Sequence, residues 1–350
     1  MKGGRKKHKA ARTRDWTEKY DDAFTHDRAR HRKAEAMAPT LPPAQTLRTE
    51  DVRPNAVVIS HSGRWAFVQK DDHEILCILD ESLGDAMASV LAPGDHVQVD
   101  YAEGAPQPIV RGVAPRRTKL SRLAPVHSCL SEQVIAANID VLVIVASAMR
   151  PTFRPGLVDR YMITAEVGGV RPILVVNKMD LVDAEPEAVN AYRELGLAVI
   201  TTSCVEGTGI DALREALHGT LSVVAGHSGV GKSSLLNAMD ASLDITTREV
   251  SNATDKGRHT TSSSRLYVLQ GDIRIVDTPG ARNLGLWGVS PEELSYYFPE
   301  LAEYAVACRF RDCTHTHEPH CAVLAAVESG ELPRPRYASY RRIRESLQSP

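Results

Sequence analysis

The chain has 350 residues, 43% of them apolar, which is enough for two or three domains with their own cores. Its net charge of −2 hides an asymmetry: residues 1–33 hold twelve Lys or Arg against five Asp or Glu, a net of +7, and the remainder carries −9. No apolar run approaches the ~20 residues that span a bilayer, and the basic N-terminus has no apolar stretch behind it, so a soluble, cytoplasmic protein with no membrane partner is expected.

Residues 1–50 run from a cluster of Lys2, Arg5, Lys6, Lys7, Lys9, Arg12 and Arg14 to a proline-rich stretch at Pro39–Pro43, and read as a basic disordered tail. Residues 51–116 carry short β-branched runs at Ala56–Ile59, Trp65–Val68, Ile75–Leu79, His96–Tyr101 and Ile109–Val113, punctuated by Gly and Asp. That spacing predicts a small five-stranded barrel of the OB type. Such barrels bind nucleic acid through basic grooves and stacking aromatics, for which Trp65, Phe67 and Tyr101 are available. Two observations weigh against it: residues 52–113 have a net charge of −5, and Trp65 and Phe67, spaced by two, share a strand face where core packing is the expected role.

Residues 117–290 alternate strand-like runs (Val141–Val145, Ile173–Val176, Ala198–Thr201, Leu221–Ala225, Ile273–Val276) with helix-sized stretches, the pattern of a mostly parallel sheet with helices on both faces. Gly226-His227-Ser228-Gly229-Val230-Gly231-Lys232-Ser233 follows one of these strands, and Ser234 continues into a helix. This is a phosphate-binding loop: glycines let backbone N–H groups converge on phosphate, Lys232 reaches the β- and γ-phosphates, and Ser233 is placed to ligate Mg²⁺.

Asn177-Lys178-Met179-Asp180 ends another strand. A carboxylate at Asp180 can accept both N–H donors of guanine, so this loop selects GTP over ATP. Ser203 and Cys204 end a third strand and loosely match the Ser-Ala-Lys base-contacting loop of GTPases, with Cys204 where Lys is common; a plain strand end fits as well. Asp277-Thr278-Pro279-Gly280 places Asp277 near Mg²⁺ and the Gly280 N–H near the γ-phosphate. Between them, Gly257-Arg258-His259-Thr260-Thr261 offers a metal ligand from either Thr260 or Thr261, with Thr261 preferred.

Residues 291–350 look helical and end in a basic stretch, Arg334–Arg344. Of the six cysteines, three lie within fourteen residues here, which points to a metal site in a reducing compartment. Cys308, Cys313, His315 and Cys321 can surround a tetrahedral Zn²⁺, with His317 and His320 as competing ligands. Four protein ligands leave no open position, so the zinc is structural.

The base-reading motif precedes the phosphate loop, the reverse of an ordinary GTPase. That order, with the barrel in front and the metal cluster behind, resembles the circularly permuted GTPases and within them the RsgA (YjeQ) family of small ribosomal subunit biogenesis GTPases. The family pattern Cys-x-Phe-x-Asp-Cys-x-His-x-x-Glu-Pro-x-Cys matches Cys308, Phe310, Asp312, Cys313, His315, Glu318, Pro319 and Cys321, and so favours His315. The resemblance implies a monomeric, 30S-stimulated GTP hydrolase acting late in 30S maturation, with the 30S subunit, its 16S rRNA and GTP or GDP as partners.

Ala281 stands where Ras-like enzymes place their water-orienting Gln, so His259 is the expected catalytic substitute. The segments 245–264 and 280–288 are expected to order around the γ-phosphate, and the ten or so residues from Gly280 to Pro291 to couple it to the zinc domain. RNA contacts are expected from Arg111, Arg116, Arg117, Lys119 and Arg122 at the barrel's exit, from the basic tail, and from Arg341, Arg342 and Arg344. Alternatives are a nucleotide-dependent RNA-binding module with incidental hydrolysis, a large-subunit assembly GTPase, and a metal-dependent hydrolase acting at the Cys/His cluster.

Overall fold

The computed structural model describes residues 51–84, 91–101, 107–126, 129–243, 264–277 and 286–348, so the N-terminal tail lies outside the described residues. Five strands close a barrel in the order β1-β2-β3-β5-β4: β1 (Ala56–Ser62), β2 (Trp65–Lys70), β3 (His73–Leu79), β4 (His96–Asp100) and β5 (Ile109–Val113). The first three form an antiparallel meander, β5 lies parallel to β3 and antiparallel to β4, and β4 pairs with β1 to complete the closure. One helical turn, α1 (Glu81–Gly84), follows β3.

The barrel interior is filled by Val58, Ala66, Val68, Cys77, Val97 and Val110, all fully buried. A five-stranded cylinder is narrow, so small and β-branched side chains fit where aromatic rings do not. The alternation of β2 therefore turns Ala66 and Val68 inward and Phe67 outward, leaving Phe67 39% exposed. This corrects the expected core role of Trp65 and Phe67: their face is the outer one.

A hairpin that the sequence pattern did not predict, β6 (Lys119–Val126) and β7 (Cys129–Ala137), follows the barrel as a two-stranded sheet. The joint is electrostatic. Asp95, completely buried, accepts two hydrogen bonds from Arg116 at 2.7 and 2.8 Å and one from the Ala92 N–H at 2.7 Å.

A six-stranded sheet comes next, in the order β10-β9-β8-β11-β13-β12. Its strands are β8 (Val141–Ser147), β9 (Arg171–Asn177), β10 (Ala198–Thr201), β11 (Leu221–Ala225), β12 (Arg265–Leu269) and β13 (Ile273–Asp277). All are parallel except the edge strand β12, which runs antiparallel to β13. Along β8, Val141, Val143 and Val145 enter one buried cluster while Leu142, Ile144 and Ala146 enter another, so both faces are covered.

The two faces are covered by different helices, α3 (Ala188–Glu194) and α4 (Ile210–Leu217): Val189 and Tyr192 join the Leu142 cluster, whereas Ile210, Leu213 and Leu217 join the Val143 cluster. The helix α2 (Pro155–Gly168) shares the α3 side, and α5 (Lys232–Met239) shares the α4 side. The C-terminal helices α6 (Pro299–Ala305), α7 (Ala322–Ser329) and α8 (Arg334–Gln348) surround a separate apolar cluster of Phe298, Leu301, Val323, Tyr340 and Ile343, into which α2 inserts Ile163. Among the described residues no helix is long and apolar enough to cross a membrane.

Replacing Arg116 with Met leaves the Asp95 carboxylate buried without its countercharge. The expected cost is about 3–5 kcal/mol of stability, read as a lower urea midpoint for unfolding of the barrel.

Candidate nucleotide site and metal cluster

The five fully buried residues of β11 end at Ala225, and the chain turns through residues 226–231 before α5 begins at Lys232. Two glycines in this turn are required by what surrounds them. Gly226 (φ 151°) would place a Cβ 2.3 Å from the Val145 carbonyl oxygen, and Gly231 (φ 96°) would place one 2.3 Å from Asn177 Nδ2.

Asn177 fills that space because it joins three loops. Its Nδ2 donates to the Val230 carbonyl at 3.0 Å, and its Oδ1 accepts from Thr202 Oγ1 at 3.1 Å and Cys204 Sγ at 3.5 Å. Lys178, in the left-handed region (φ 65°), donates from Nζ to Gly229 O at 2.6 Å and to Arg150 O. Met179 N–H donates to Thr202 O at 3.1 Å, and Asp180 Oδ1 accepts from Ser203 Oγ at 2.7 Å, so the carboxylate is aimed by the neighbouring loop. Burial pushes the Cys204 thiol up; the hydrogen bond to Asn177 opposes this and the charge of Asp180 adds to it.

Within the phosphate loop, Lys232 Nζ donates to the carbonyls of Gly226 at 2.8 Å and His227 at 3.0 Å, and His227 Nδ1 lies 2.8 Å from Ser228 O. Ser233 and Ser234 occupy the first turn of α5. Asp277 ends β13 in register with Val224 of β11, one strand from the phosphate loop. The structure therefore gathers Asn177 to Asp180, Ser203, Cys204, Gly226 to Ser234 and Asp277 at the C-terminal edge of one parallel sheet, where α/β sheets hold ligands. His259, Thr260, Thr261 and Gly280 lie outside the described residues. A contact absent from the sequence reading is Tyr161 of α2, buried, whose hydroxyl is hydrogen-bonded to the Gly226 backbone.

In the C-terminal region the donor atoms of Cys308, Cys313, His315 and Cys321 all lie within 4.8 Å of one another. Cys308 Sγ is 3.8 Å from Cys321 Sγ, and each is 3.5 Å from His315 Nδ1. Metal–sulfur bonds of about 2.3 Å and metal–nitrogen bonds of about 2.0–2.1 Å at tetrahedral angles require separations of about 3.8 and 3.5–3.6 Å, so the donor set fits Zn²⁺. Burial pushes the Cys313 thiol up to about 12, and a bound cation would reverse this by taking the thiolate. His315 is 4% exposed and faces the cluster, whereas His317 and His320 are exposed and outside it.

Glu318 organises the loop without being a donor to it. Its carboxylate accepts from Thr314 N at 2.7 Å, Thr316 N at 3.1 Å, His317 N at 3.2 Å and Thr314 Oγ1. Burial opposes the charge, but these hydrogen bonds prevail and hold the carboxyl well below the usual range. Tyr337 and Tyr340 hydroxyls donate to the His315 and Thr314 carbonyls at 2.9 and 2.8 Å, fixing the same loop to α8.

The basic side chains expected to meet RNA are mostly engaged inside the molecule. Arg111 pairs with Asp80, Arg116 with Asp95, Arg117 with Asp140 and Lys119 with Glu132, each at 2.7 Å, and Arg122 donates to Gln133 at 2.8 Å. On α8, Arg344 is buried against the Pro291 carbonyl and Arg341 lies 3.4 Å from Glu345, while Arg342 is exposed. Acidic residues distant in sequence thus neutralise what reads along the chain as a free basic stripe.

The family model for the RsgA GTPase matches residues 113–287, half of the chain. This chain belongs to the RsgA GTPase family. An RsgA relative from Chlorobaculum tepidum, named a small ribosomal subunit biogenesis GTPase, is 42% identical over 273 residues, spanning 74% of this chain and 86% of its own length. Another of the same name, from Saccharophagus degradans, is 36% identical over 341 residues, 92% of this chain and 95% of its own. Among solved structures, YjeQ from Thermotoga maritima superposes with a TM-score of 0.65 at 30% identity, over 85% of this chain and 99% of that one. YloQ, described as a circularly permuted GTPase, gives 0.61 at 26% identity over 87% and 98%. The RsgA architecture accounts for the order seen here, in which β8 to β10 and the Asn177 loop precede the phosphate-loop strand β11.

Because Glu318 has a depressed pKa when folded, its stabilising effect is complete above the ordinary glutamate value of about 4.3 and is lost as pH falls through the folded value. Glu318→Gln is expected to lower the stability of the C-terminal region by about 1–3 kcal/mol at pH 7. Thermal melts of both proteins across a pH series should show the gap closing only below about pH 4.3.

Proposed function

We propose that this chain binds and hydrolyses GTP and acts in late maturation of the 30S ribosomal subunit, in the cytoplasm and as a monomer. The observation that carries the reading is the convergence of the Asn177 to Asp180 loop on the phosphate loop, held by the Asn177 and Lys178 hydrogen bonds. Family membership and the names of the relatives, small ribosomal subunit biogenesis GTPases, support the small subunit as partner, and its 16S rRNA is the RNA this reading places in contact with the chain.

In this reading Asp180, steadied by Ser203, accepts both guanine N–H donors, and the stem of Lys178 lies against the base. Backbone N–H groups of residues 226–232 surround the phosphates at the N-terminus of α5. Lys232 exchanges its two loop carbonyls for β- and γ-phosphate oxygens. Ser233, Asp277 and Thr261 would hold Mg²⁺, which neutralises charge on the β- and γ-oxygens when bound. In the same reading the Gly280 N–H meets the γ-phosphate, and His259 orients the attacking water when the 30S subunit is bound. Cys308, Cys313, His315 and Cys321 would hold Zn²⁺ in a structural role, because four protein donors leave no place for a substrate; that disfavours chemistry at the cluster.

GTP turnover measured against 30S concentration is expected to rise and saturate, and Lys232→Ala to lose about 100-fold or more of the stimulated rate. A flat response to 30S subunits would favour a nucleotide-dependent RNA-binding module with incidental hydrolysis, and equal stimulation by 50S subunits a large-subunit role. Asp180→Asn exchanges a carboxylate acceptor for an amide that suits xanthine, so GTP affinity should fall on the order of 100- to 10,000-fold. Xanthosine triphosphate should then restore binding in an equilibrium titration.

A further inference from the structure

The helix α2 touches the nucleotide side of the molecule with one face and the C-terminal region with the other. Val158, Tyr161 and Ala165 pack in the sheet's core, and Tyr161 reaches the Gly226 backbone at the start of the phosphate loop. Asp159 lies two residues from Tyr161, about 200° around the helix axis, and so points away from the sheet. With Ile163 one turn on, it forms the face that meets α8, and Arg160 Nη2 donates to Ser346 Oγ at 2.8 Å beside it.

At the centre of this contact Arg336 of α8, 5% exposed, pairs with Asp159, 1% exposed, and with Glu300 of α6. The guanidinium also lies over the rings of Phe298 at 4.8 Å and Tyr192 at 5.7 Å. Tyr192 donates to Asp159 Oδ1 and approaches the Pro155 carbonyl, both at 2.8 Å. Two carboxylates therefore share one buried arginine, and Glu300 Oε2 has no hydrogen-bond partner among the described residues. An apolar contact of the same volume would hold two helices at least as firmly, so stability alone does not account for a partly satisfied ionic cluster here.

The N-terminal end of α2 is tied to the nucleotide side as well. The segment joining β8 to α2 presents the Arg150 carbonyl to Lys178 Nζ, and the Ser147 hydroxyl donates to the Pro151 carbonyl at 2.6 Å. A cleft of about 300 Å³, counting space open to solvent, lies between this segment, Tyr161, His227 and Val230. Movement of α2 consequently has to be felt at both the phosphate loop and the guanine loop.

We infer that Arg336 of the C-terminal region is a positioning residue for GTP binding: through Asp159 it sets the seat of α2, and through Tyr161 α2 sets the conformation of the phosphate loop at Gly226. The inference rests on the GTP-binding reading above. It assigns the C-terminal region a direct part in preparing the nucleotide site, along a path from the Arg336–Asp159 ion pair through the body of α2 to Tyr161 and the Gly226 backbone.

The test is a double-mutant cycle on the full-length zinc-loaded protein, measuring the Kd for a fluorescent GTP analogue by equilibrium titration. Arg336→Met is expected to weaken binding about 3- to 30-fold, and this effect should shrink by at least half in a Tyr161→Phe background, where the contact to Gly226 is already gone. Arg344→Met, which removes a buried arginine of the same helix bonded to the Pro291 carbonyl and to Tyr340 but not to Asp159, is the control for general loosening and should change Kd less than threefold. The inference is overturned if Arg336→Met changes Kd less than threefold, if its effect persists undiminished in Tyr161→Phe, or if Arg344→Met weakens binding equally. Should Arg336→Met fail to fold, Asp159→Asn carries the same cycle with the shape of the site kept. Failure of the unmutated protein to bind the analogue would instead reject the GTP-binding reading itself.

Discussion

The nucleotide edge of the sheet depends on a single buried amide. Asn177, 2% exposed, spans from the end of β9 to the Val230 carbonyl, fifty-three residues away along the chain, while its other atom is held by Thr202 and Cys204. A buried amide is costly unless its donors and acceptors are met, so the three loops have to keep their mutual register for the site to exist. Gly231 is the counterpart of that demand, since any side chain there would occupy the place of the amide. This is why chain order can be permuted without loss of the site: the parallel registers of β8 with β9 and of β8 with β11 set the edge, and Asn177 ties its loops whichever strand comes first.

The joints between regions combine apolar contact with ion pairs, and at the barrel–hairpin and sheet–C-terminal joints the charge is buried. Arg116 with Asp95 connects the barrel to the hairpin, Arg117 with Asp140 connects the hairpin to the sheet, and Arg336 with Asp159 and Glu300 connects the sheet to the C-terminal helices. Ion pairs of this kind contribute little net stability once desolvation is counted, but removing one partner is expensive, so they specify geometry more than they add strength. They also consume cations. The barrel carries a net negative charge, and the arginines at its exit are turned toward their own acids, which leaves its outward aromatic face rather than a basic stripe as its most distinctive outer feature.

What the sequence made legible follows from which interactions are local. The barrel strands announce themselves by short β-branched runs between turn residues, the parallel strands by continuous apolar runs buried on both faces, and the phosphate loop by glycines whose reason is steric. The hairpin β6–β7 escaped because polar residues interrupt its apolar positions, and β12 because an edge strand has only one neighbour to satisfy. Trp65 and Phe67 were read onto the wrong face because periodicity shows that two residues share a side but not which side is inward; the width of a five-stranded barrel decides that. The fate of the basic stretch and the contact of Tyr161 with Gly226 were invisible for a different reason. Each depends on a partner well outside its own stretch of chain, from Glu132 for Lys119 to Gly226 for Tyr161, brought near only by the fold.

The placement of α2 gives the permuted order a physical consequence. In the described part of the molecule the link between nucleotide loops and the C-terminal region runs through a helix that lies between β8 and β9 in sequence and ahead of the phosphate loop, with Asp159 on one side and Tyr161 on the other. Any free energy by which Arg336 favours one seat of α2, and hence one form of the phosphate loop, must reappear as an equal effect of bound nucleotide on the grip between α2 and α8. A helix pinned at both faces by buried polar contacts is suited to that exchange, because such contacts are directional and are made or broken as units, whereas an apolar interface of the same area would slide. The metal cluster fixes the far end of the same path: Tyr337 and Tyr340 of α8 hold the carbonyls of His315 and Thr314, so the helix that carries Arg336 is anchored to the donor loop and cannot absorb the movement by shifting alone.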